Sequence, residues 1–476
     1  MDLEFYNQEV DKILWDIIGS DSFLEDDLPI LIDTITNTIY MYHKNITKEN
    51  LWIIINHLME QKYQKRYTYN NNSEYNKVDD FADKISINNC KDLVSHRYDV
   101  SNFEKEIHIT RYNRVLKIKD IPQHEQKSKE WLDQRNRCIT ATAIAIVLDE
   151  DPYKHPAELL LDKCGKGIPF EDNENTHHGK KYELIGNMYY CFRNNVQVGE
   201  YGLIQHEDYP FIGASPDGIC DKYTLNGTAL SKLVGRLLEI KFPRTRNINV
   251  EGSLDGDICP HQYYIQCLTQ LFVTELDECD FLQCKMEEYK SWNEFVNDTD
   301  PIIPGLSKTT KLEKGCLIQL LPKKQLLEHN SLFKAQYIYP PKLHLSPQEI
   351  EKWIASEVLK FPQNQLANNY VIDKVIYWRF MKITCNLIKA DHEWFESKVP
   401  TLKQFWLYVK FYRKHPDILN SLVEFINETG FRNSDKIFKK VHDDYLSVKK
   451  KSKYKPLYQT KNPWRIQLNE KYKYKK

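Results

Sequence analysis

No apolar run in the 476-residue sequence reaches the ~18 residues that a membrane-spanning helix needs, which argues against a helical integral membrane protein. The opening residues Met1-Asp2-Leu3-Glu4 lack the basic-then-apolar order of a secretion signal. Eleven cysteines are scattered without paired spacing, so reduced, buried thiols and an intracellular protein are expected. Net charge is also missing: 66 Lys+Arg against 67 Asp+Glu leave −1, and bulk charge announces no polyanionic partner. No internal repeat is present. What remains is a globular composition, 41% hydrophobic and 28% charged, in a chain long enough for more than one domain of ~100–200 residues.

The distribution of charge says more than its sum. The first 30 residues are acidic, and the stretch from Lys449 to Lys476 is strongly basic, which suits either a nucleic-acid-binding tail or a solvated end. Residues 1–60 show helical periodicity, and the polar segment Tyr67–Asn76 reads as a loop. Prolines at 301, 304, 322, 340 and 341 break any long helix in 289–345, whereas 348–440, with Trp378, Phe380, Trp394, Phe395, Phe405 and Trp406, reads as helical.

Three segments between Ile121 and Glu288 carry candidate chemistry. In Phe211-Ile212-Gly213-Ala214-Ser215-Pro216-Asp217-Gly218 an apolar strand must end or bulge at Pro216, leaving the Asp217 carboxylate at a strand end. Asp-Gly turns are common, so this segment alone decides nothing. In Leu237-Leu238-Glu239-Ile240-Lys241-Phe242-Pro243 the two-residue period puts Glu239 and Lys241 on one face and Leu238, Ile240 and Phe242 on the other. Alone it is a half-exposed strand. With Asp217 it becomes an arrangement suited to phosphodiester hydrolysis: two carboxylates and a backbone carbonyl are hard oxygen ligands for Mg²⁺, and a lysine orients or deprotonates water and offsets transition-state charge. In His177-His178-Gly179-Lys180-Lys181-Tyr182-Glu183 and the residues that follow, the spacing predicts a helix with Glu183 near its start, either a further acid of the site or an acid favoured by the helix dipole. Adjacent histidines seldom share one metal, and no Cys or His follows at ligand spacing, so no zinc is expected. Finally, Tyr263–Val273 reads as a helix with Gln266 and Gln270 four apart on one face, placed to touch a DNA backbone, to position the lysine, or merely to meet solvent.

In order and spacing these segments resemble the YqaJ-type viral recombinase family, to which phage lambda exonuclease also belongs, within the PD-(D/E)xK nuclease superfamily. The likeness runs from Ser128-Lys129-Glu130-Trp131-Leu132-Asp133-Gln134-Arg135 through Ile139-Thr140-Ala141-Thr142 and the segments above to about Tyr289. The resemblance implies an α/β fold: a restriction-endonuclease-like core with a central mixed sheet flanked by helices, plus helical N- and C-terminal additions. It implies that Asp217, Glu239 and the Ile240 carbonyl bind Mg²⁺, with Mn²⁺ able to substitute, that Lys241 positions water, and that Glu183 is an outer acid. Gln266 would steady the site or, like Gln270, contact DNA. Arg135 and Thr142 occupy the positions that hold a 5′-phosphate, Thr142 standing where a serine is usual. Double-stranded DNA is the implied substrate, a single-strand annealing protein a candidate partner, and the host cytoplasm or the virion the setting of an extended member from a large DNA virus.

The expected organisation is an N-terminal, mainly helical region (1–119), a nuclease domain (120–412, best matched over 128–289 with an insertion or extension within 290–380), and a C-terminal helical segment with a basic tail (413–476). The long stretch Lys222–Gly235 reads as an inserted hairpin or loop. Cys279 and Cys284 lack the close pair that an iron–sulfur cluster requires, so none is expected. Exonuclease action from 5′ ends is the leading reading. A structure-specific endonuclease on the same fold and an inactive DNA-binding protein are the alternatives, and oligomeric state stays open.

Overall fold

The computed structural model describes residues 102–448, apart from 123, 125–127, 170, 226, 228–230, 326–330 and 432. The helical periodicity of 1–60, the loop at Tyr67–Asn76 and the basic tail lie outside the described residues. In chain order the elements are α1 (Asn102–Asp120), α2 (Lys129–Asn136), β1 (Ile139–Thr140), α3 (Ala141–Val147), α4 (Pro156–Lys163), α5 (Glu174–Asn194), β2 (Val198–Gly199), β3 (Ile204–Gln205), β4 (Ile212–Ala214), β5 (Gly218–Cys220), β6 (Leu237–Lys241), α6 (His261–Thr274), β7 (Glu278–Glu288), α7 (Trp292–Asn297), β8 (Lys314–Pro322), β9 (Gln336–Ile338), α8 (Pro347–Lys360), β10 (Tyr370–Lys389), α9 (His392–Lys414), α10 (Pro416–Thr429) and α11 (Ser434–Val448).

A seven-stranded mixed sheet has the order β2-β5-β6-β7-β10-β8-β9, and a small sheet the order β1-β4-β3. Only β6 and β7 run parallel in the large sheet, with α6 as the crossover between them. The two-residue period of β6 divides the core. Leu237, with Phe281 of β7, packs under Leu268, Leu271 and Phe272 of α6. Leu238 and Ile240, with Phe242 just beyond the strand, pack against Tyr182, Ile185 and Tyr190 of α5. Fully burying one such aliphatic or aromatic side chain contributes about 1.5–3 kcal/mol, so this face assignment is strongly enforced: slipping β6 by one residue would invert it. The fold is therefore the expected α/β, with a central mixed sheet flanked by helices and further helices at its C-terminal side.

Several local expectations change. The span 348–440 is not helical throughout, because Trp378 and Phe380 lie on the 20-residue strand β10. There Ile376, Trp378 and Phe380 are buried while Tyr377 and Arg379 are only half-buried, a period of two. The segment 290–380 supplies β8, β9 and half of β10 to the main sheet. Position 412 lies inside α9, and the described residues from His108 to Val448 belong to one compact unit. α5 begins at Glu174 behind an Asn173–Thr176 capping box, so His177 and His178 lie within the helix, and Glu183 lies well past the first turn. The described part of 222–235 is a strandless connection between β5 and β6. No described helix is long and apolar enough to cross a membrane.

Gly186 sets how closely α5 approaches β6. A Cβ there would sit 2.9 Å from both Ile240 Cγ2 and Phe242 Cε2. Gly186→Ala is expected to destabilise the protein by about 1–3 kcal/mol through overpacking, measured by denaturant unfolding, and unchanged stability would show that the helix yields freely.

Candidate active site

Glu239 has no exposed surface. A charged carboxylate so placed is tolerated only with donors around it, and three are supplied. Gln266 donates its Nε2–H to Oε1 at 2.8 Å, Gln270 donates to Oε2 at 2.6 Å, and the Lys241 ammonium donates to Oε1. The glutamines come from one face of α6, four residues apart, and the lysine from the same face of β6. Tyr263, three residues before Gln266, lays its ring 5.0 Å from Lys241 Nζ. Burial works against charge on Lys241, but Glu239 and then Asp217 outweigh it and hold the ammonium above its ordinary pKa.

Asp217 sits between β4, which ends at Ala214, and β5, which begins at Gly218, directly after Pro216. Gly218 of β5 pairs with Leu238 of β6, so the two acids lie on neighbouring strands. Asp217 Oδ2 accepts the Ile240 N–H at 2.7 Å, which ties it to the residue between Glu239 and Lys241. Part of its surface reaches solvent, but protein surrounds it densely. Burial first, and then the Glu239 charge, push its pKa well above the usual carboxylate range, Lys241 opposing and Glu183 adding to the rise. Glu183 itself is exposed on α5 and acts on Asp217 through space.

Gln266 and Gln270 are buried and turned onto Glu239. In this arrangement both amides are engaged with the carboxylate, the site-steadying role that was one of the two expected for Gln266. Arg135 lies in the last turn of α2, half-buried, its guanidinium 4.5 Å over the Trp131 ring. Thr142 is exposed, with its hydroxyl 3.3 Å from that of Thr140. Thr140 pairs with Gly213 of β4, so this segment joins the chain that leads into Asp217. Among the described residues no hydrogen bond joins Arg135 or Thr142 to the acids.

The YqaJ-like viral recombinase domain model matches residues 130–277, which contain every residue named above. Nearly the whole chain, 98%, aligns at 49% identity with 96% of an uncharacterized protein of Acanthamoeba polyphaga mimivirus. The chain belongs to the YqaJ-like viral recombinase family. A second relative of this family member, the uncharacterized protein YqaJ of Bacillus subtilis, is 26% identical over 30% of this chain and 41% of its own length. Among solved structures, an alkaline exonuclease from Laribacter hongkongensis aligns over 62% of this chain and all of its own, at 15% identity and a TM-score of 0.32. A phage-related exonuclease from Haemophilus somnus aligns over 58% and 93%, at 12% identity and a TM-score of 0.27. Superpositions this loose locate no residue.

Within this YqaJ-like site the donors are oxygens, which suits a hard cation. Among the described residues no three His, Cys, Asp or Glu side chains form a ready cage. Two close carboxylates are nonetheless the protein share that Mg²⁺ usually takes, the rest being water and phosphate. The repulsion between Asp217 and Glu239 is also what a cation between them would relieve. Sequence reasoning missed two features: Tyr263 over Lys241, and the second glutamine on Glu239. The spacing Tyr-x-x-Gln-x-x-x-Gln on one helix face was the available signal.

Because the folded-state pKa of Asp217 is raised, its ionised form destabilises the fold above the ordinary carboxylate pKa of about 4. Asp217→Asn keeps an acceptor for the Ile240 N–H and removes the charge. Its melting temperature at pH 7 is expected to exceed that of the unsubstituted protein. Millimolar Mg²⁺ is expected to raise the melting temperature of the unsubstituted protein only. A lower melting temperature for Asp217→Asn would show that the repulsion is not significant.

Proposed function

We propose that the protein is a metal-dependent deoxyribonuclease that hydrolyses phosphodiester bonds of double-stranded DNA from an end, in viral recombination or replication. The observation that carries this reading is the convergence of Asp217, at the start of β5, with Glu239 and Lys241 of β6, Asp217 being tied to the Ile240 N–H. Asp217, Glu239 and the Ile240 carbonyl would hold Mg²⁺ or Mn²⁺, with Glu183 as an outer acid. Such an ion supplies Lewis-acid stabilisation of charge on the phosphate. The chain's own residues do the rest. Gln266 and Gln270 fix Glu239 in one orientation, so no reorganisation is required during reaction. Lys241, seated by Glu239 and Tyr263, orients the attacking water and offsets charge on the phosphorane-like transition state.

End recognition would fall to Arg135 and Thr142. A guanidinium braced on an aromatic ring and a hydroxyl at the start of a helix are suited to a terminal phosphate. The extended, viral character of the chain rests on its near end-to-end match to the mimivirus protein.

The deciding assay uses end-labelled linear DNA, with and without a 5′-phosphate, beside closed circular DNA. Metal-dependent release of mononucleotides from phosphorylated linear DNA is expected, and the circle should resist. Equal cutting of the circle would make the enzyme an endonuclease. Lys241→Ala should lose at least about a hundredfold in rate while still binding DNA. Undiminished hydrolysis by that variant would end the catalytic assignment.

A further inference from the structure

Away from the acids, one titratable side chain bridges three segments around the site. His261 opens α6, the helix that carries Tyr263, Gln266 and Gln270. Its Nδ1 lies 2.7 Å from Asp255 Oδ1, in the connection that runs from β6 back to α6. Its Nε2 lies 3.1 Å from Glu150 Oε2, just beyond α3. Both carboxylates are acceptors, so both ring nitrogens must carry a proton, and the bridge exists only as an imidazolium. A cation at a helix N-terminus is electrostatically disfavoured, and the two acids offset that. The ring is enclosed, with its side chain 13% exposed.

The mechanical consequence follows from the chain path. Two residues after His261, Tyr263 covers Lys241; two residues before it, buried Cys259 senses the charges of Lys241 and Glu239. α3, which ends just before Glu150, packs in the same core as α6 and begins at the Thr140–Thr142 segment. We infer that His261 is a positioning residue, a charged clamp that fixes α6 and the 249–260 connection to the α3 end and thereby sets Tyr263, Gln266 and Gln270 on Lys241 and Glu239. The inference rests on the nuclease reading for its effect on catalysis but not for the clamp itself.

Burial alone would drive the proton from His261, but the hydrogen bonds of Asp255 and then Glu150 outweigh it and push the pKa up to about 9. The other titratable groups around the bridge are Tyr264 and Cys259, which face Asp255, and Asp391, which faces Tyr264. Burial raises Tyr264 and Cys259, so both stay neutral as His261 titrates. Since the folded pKa lies above the unfolded value, the clamp stabilises fully below about pH 6.5. That stability is lost as pH rises through about 9.

The test compares the full chain with His261→Gln and with Glu150→Gln, which removes one acid and leaves the histidine. Melting temperatures are recorded from neutral pH to beyond pH 9, alongside kcat and KM for cleavage of linear DNA. The unsubstituted protein should lose melting temperature through about pH 9. Relative to it, His261→Gln should lack that loss, and Glu150→Gln should show it at lower pH. At neutral pH kcat of His261→Gln should fall between about tenfold and a hundredfold, since small displacements of a positioned group have that effect, with little change in KM. Parallel melting curves for all three proteins would overturn the clamp, and an unchanged kcat would overturn its positioning role. Should the unsubstituted protein cleave no DNA, the nuclease reading fails while the melting comparison still decides the clamp. If His261→Gln does not fold, the shift in Glu150→Gln alone decides it.

Discussion

A carboxylate with no exposed surface, Glu239, is the constraint on which this architecture depends. Ionised and buried, it demands several charge-assisted or amide donors, and a buried ion that loses a partner costs about 3–5 kcal/mol. Among the described residues its donors come from two places: the next same-face residue of its own strand, and one face of α6. The second source requires a helix to lie directly across β6. The parallel β6–α6–β7 unit provides that, because a parallel pair needs a crossover long enough to hold a helix. The only parallel pair in the large sheet is thus the one that brings the glutamines to the acid.

What lies behind α6 then matters as much as what lies beneath it. Phe272 stacks on Phe395 of α9 with centroids 4.1 Å apart, and Leu402, Phe405 and Val409 of α9 join the same core with Leu419 and Leu422 of α10 and Ile437 of α11. The C-terminal helices therefore complete the burial of α6 rather than forming a separate body. On the opposite face α5 closes on β6 over Gly186, and this close approach brings Glu183 within electrostatic reach of Asp217.

How much of this was legible in the sequence follows from the range of each signal. The alternation in Leu237–Phe242 and the four-residue spacing of Gln266 and Gln270 are local, and both read through to the structure. The sequence shows that the two amides share a face but not what faces them, and the carboxylate they meet lies on another element. Trp378 and Phe380 were read with the helical aromatics around them, yet their partners are Glu288 and Met286, far away in sequence. Pairing with β7 on one side and β8 on the other makes β10 a strand. Glu183 was placed near a helix start because the Asn173 cap lies upstream of the apolar periodicity that signalled the helix. His261 gave no signal at all: Glu150 and Asp255 lie at unrelated spacings, and their meeting is a product of the fold.

The same local physics explains why the site holds strain. Asp217 and Glu239 repel, and the protein does not neutralise both. It gives Glu239 three fixed donors and leaves Asp217 with one backbone N–H and Lys241 nearby. Three donors on Glu239 leave room, among roughly four lone-pair directions, for one more partner. The unequal treatment of two neighbouring acids gives the pair a direction. One carboxylate is rigid and already compensated; the other is under-compensated and tied only through its backbone contact. A cation arriving at such a pair gains most from Asp217, while Glu239 keeps its orientation throughout. Stability is given up at Asp217, and the helix that holds Glu239 is anchored by His261 at one end and by Phe272 on Phe395 at the other.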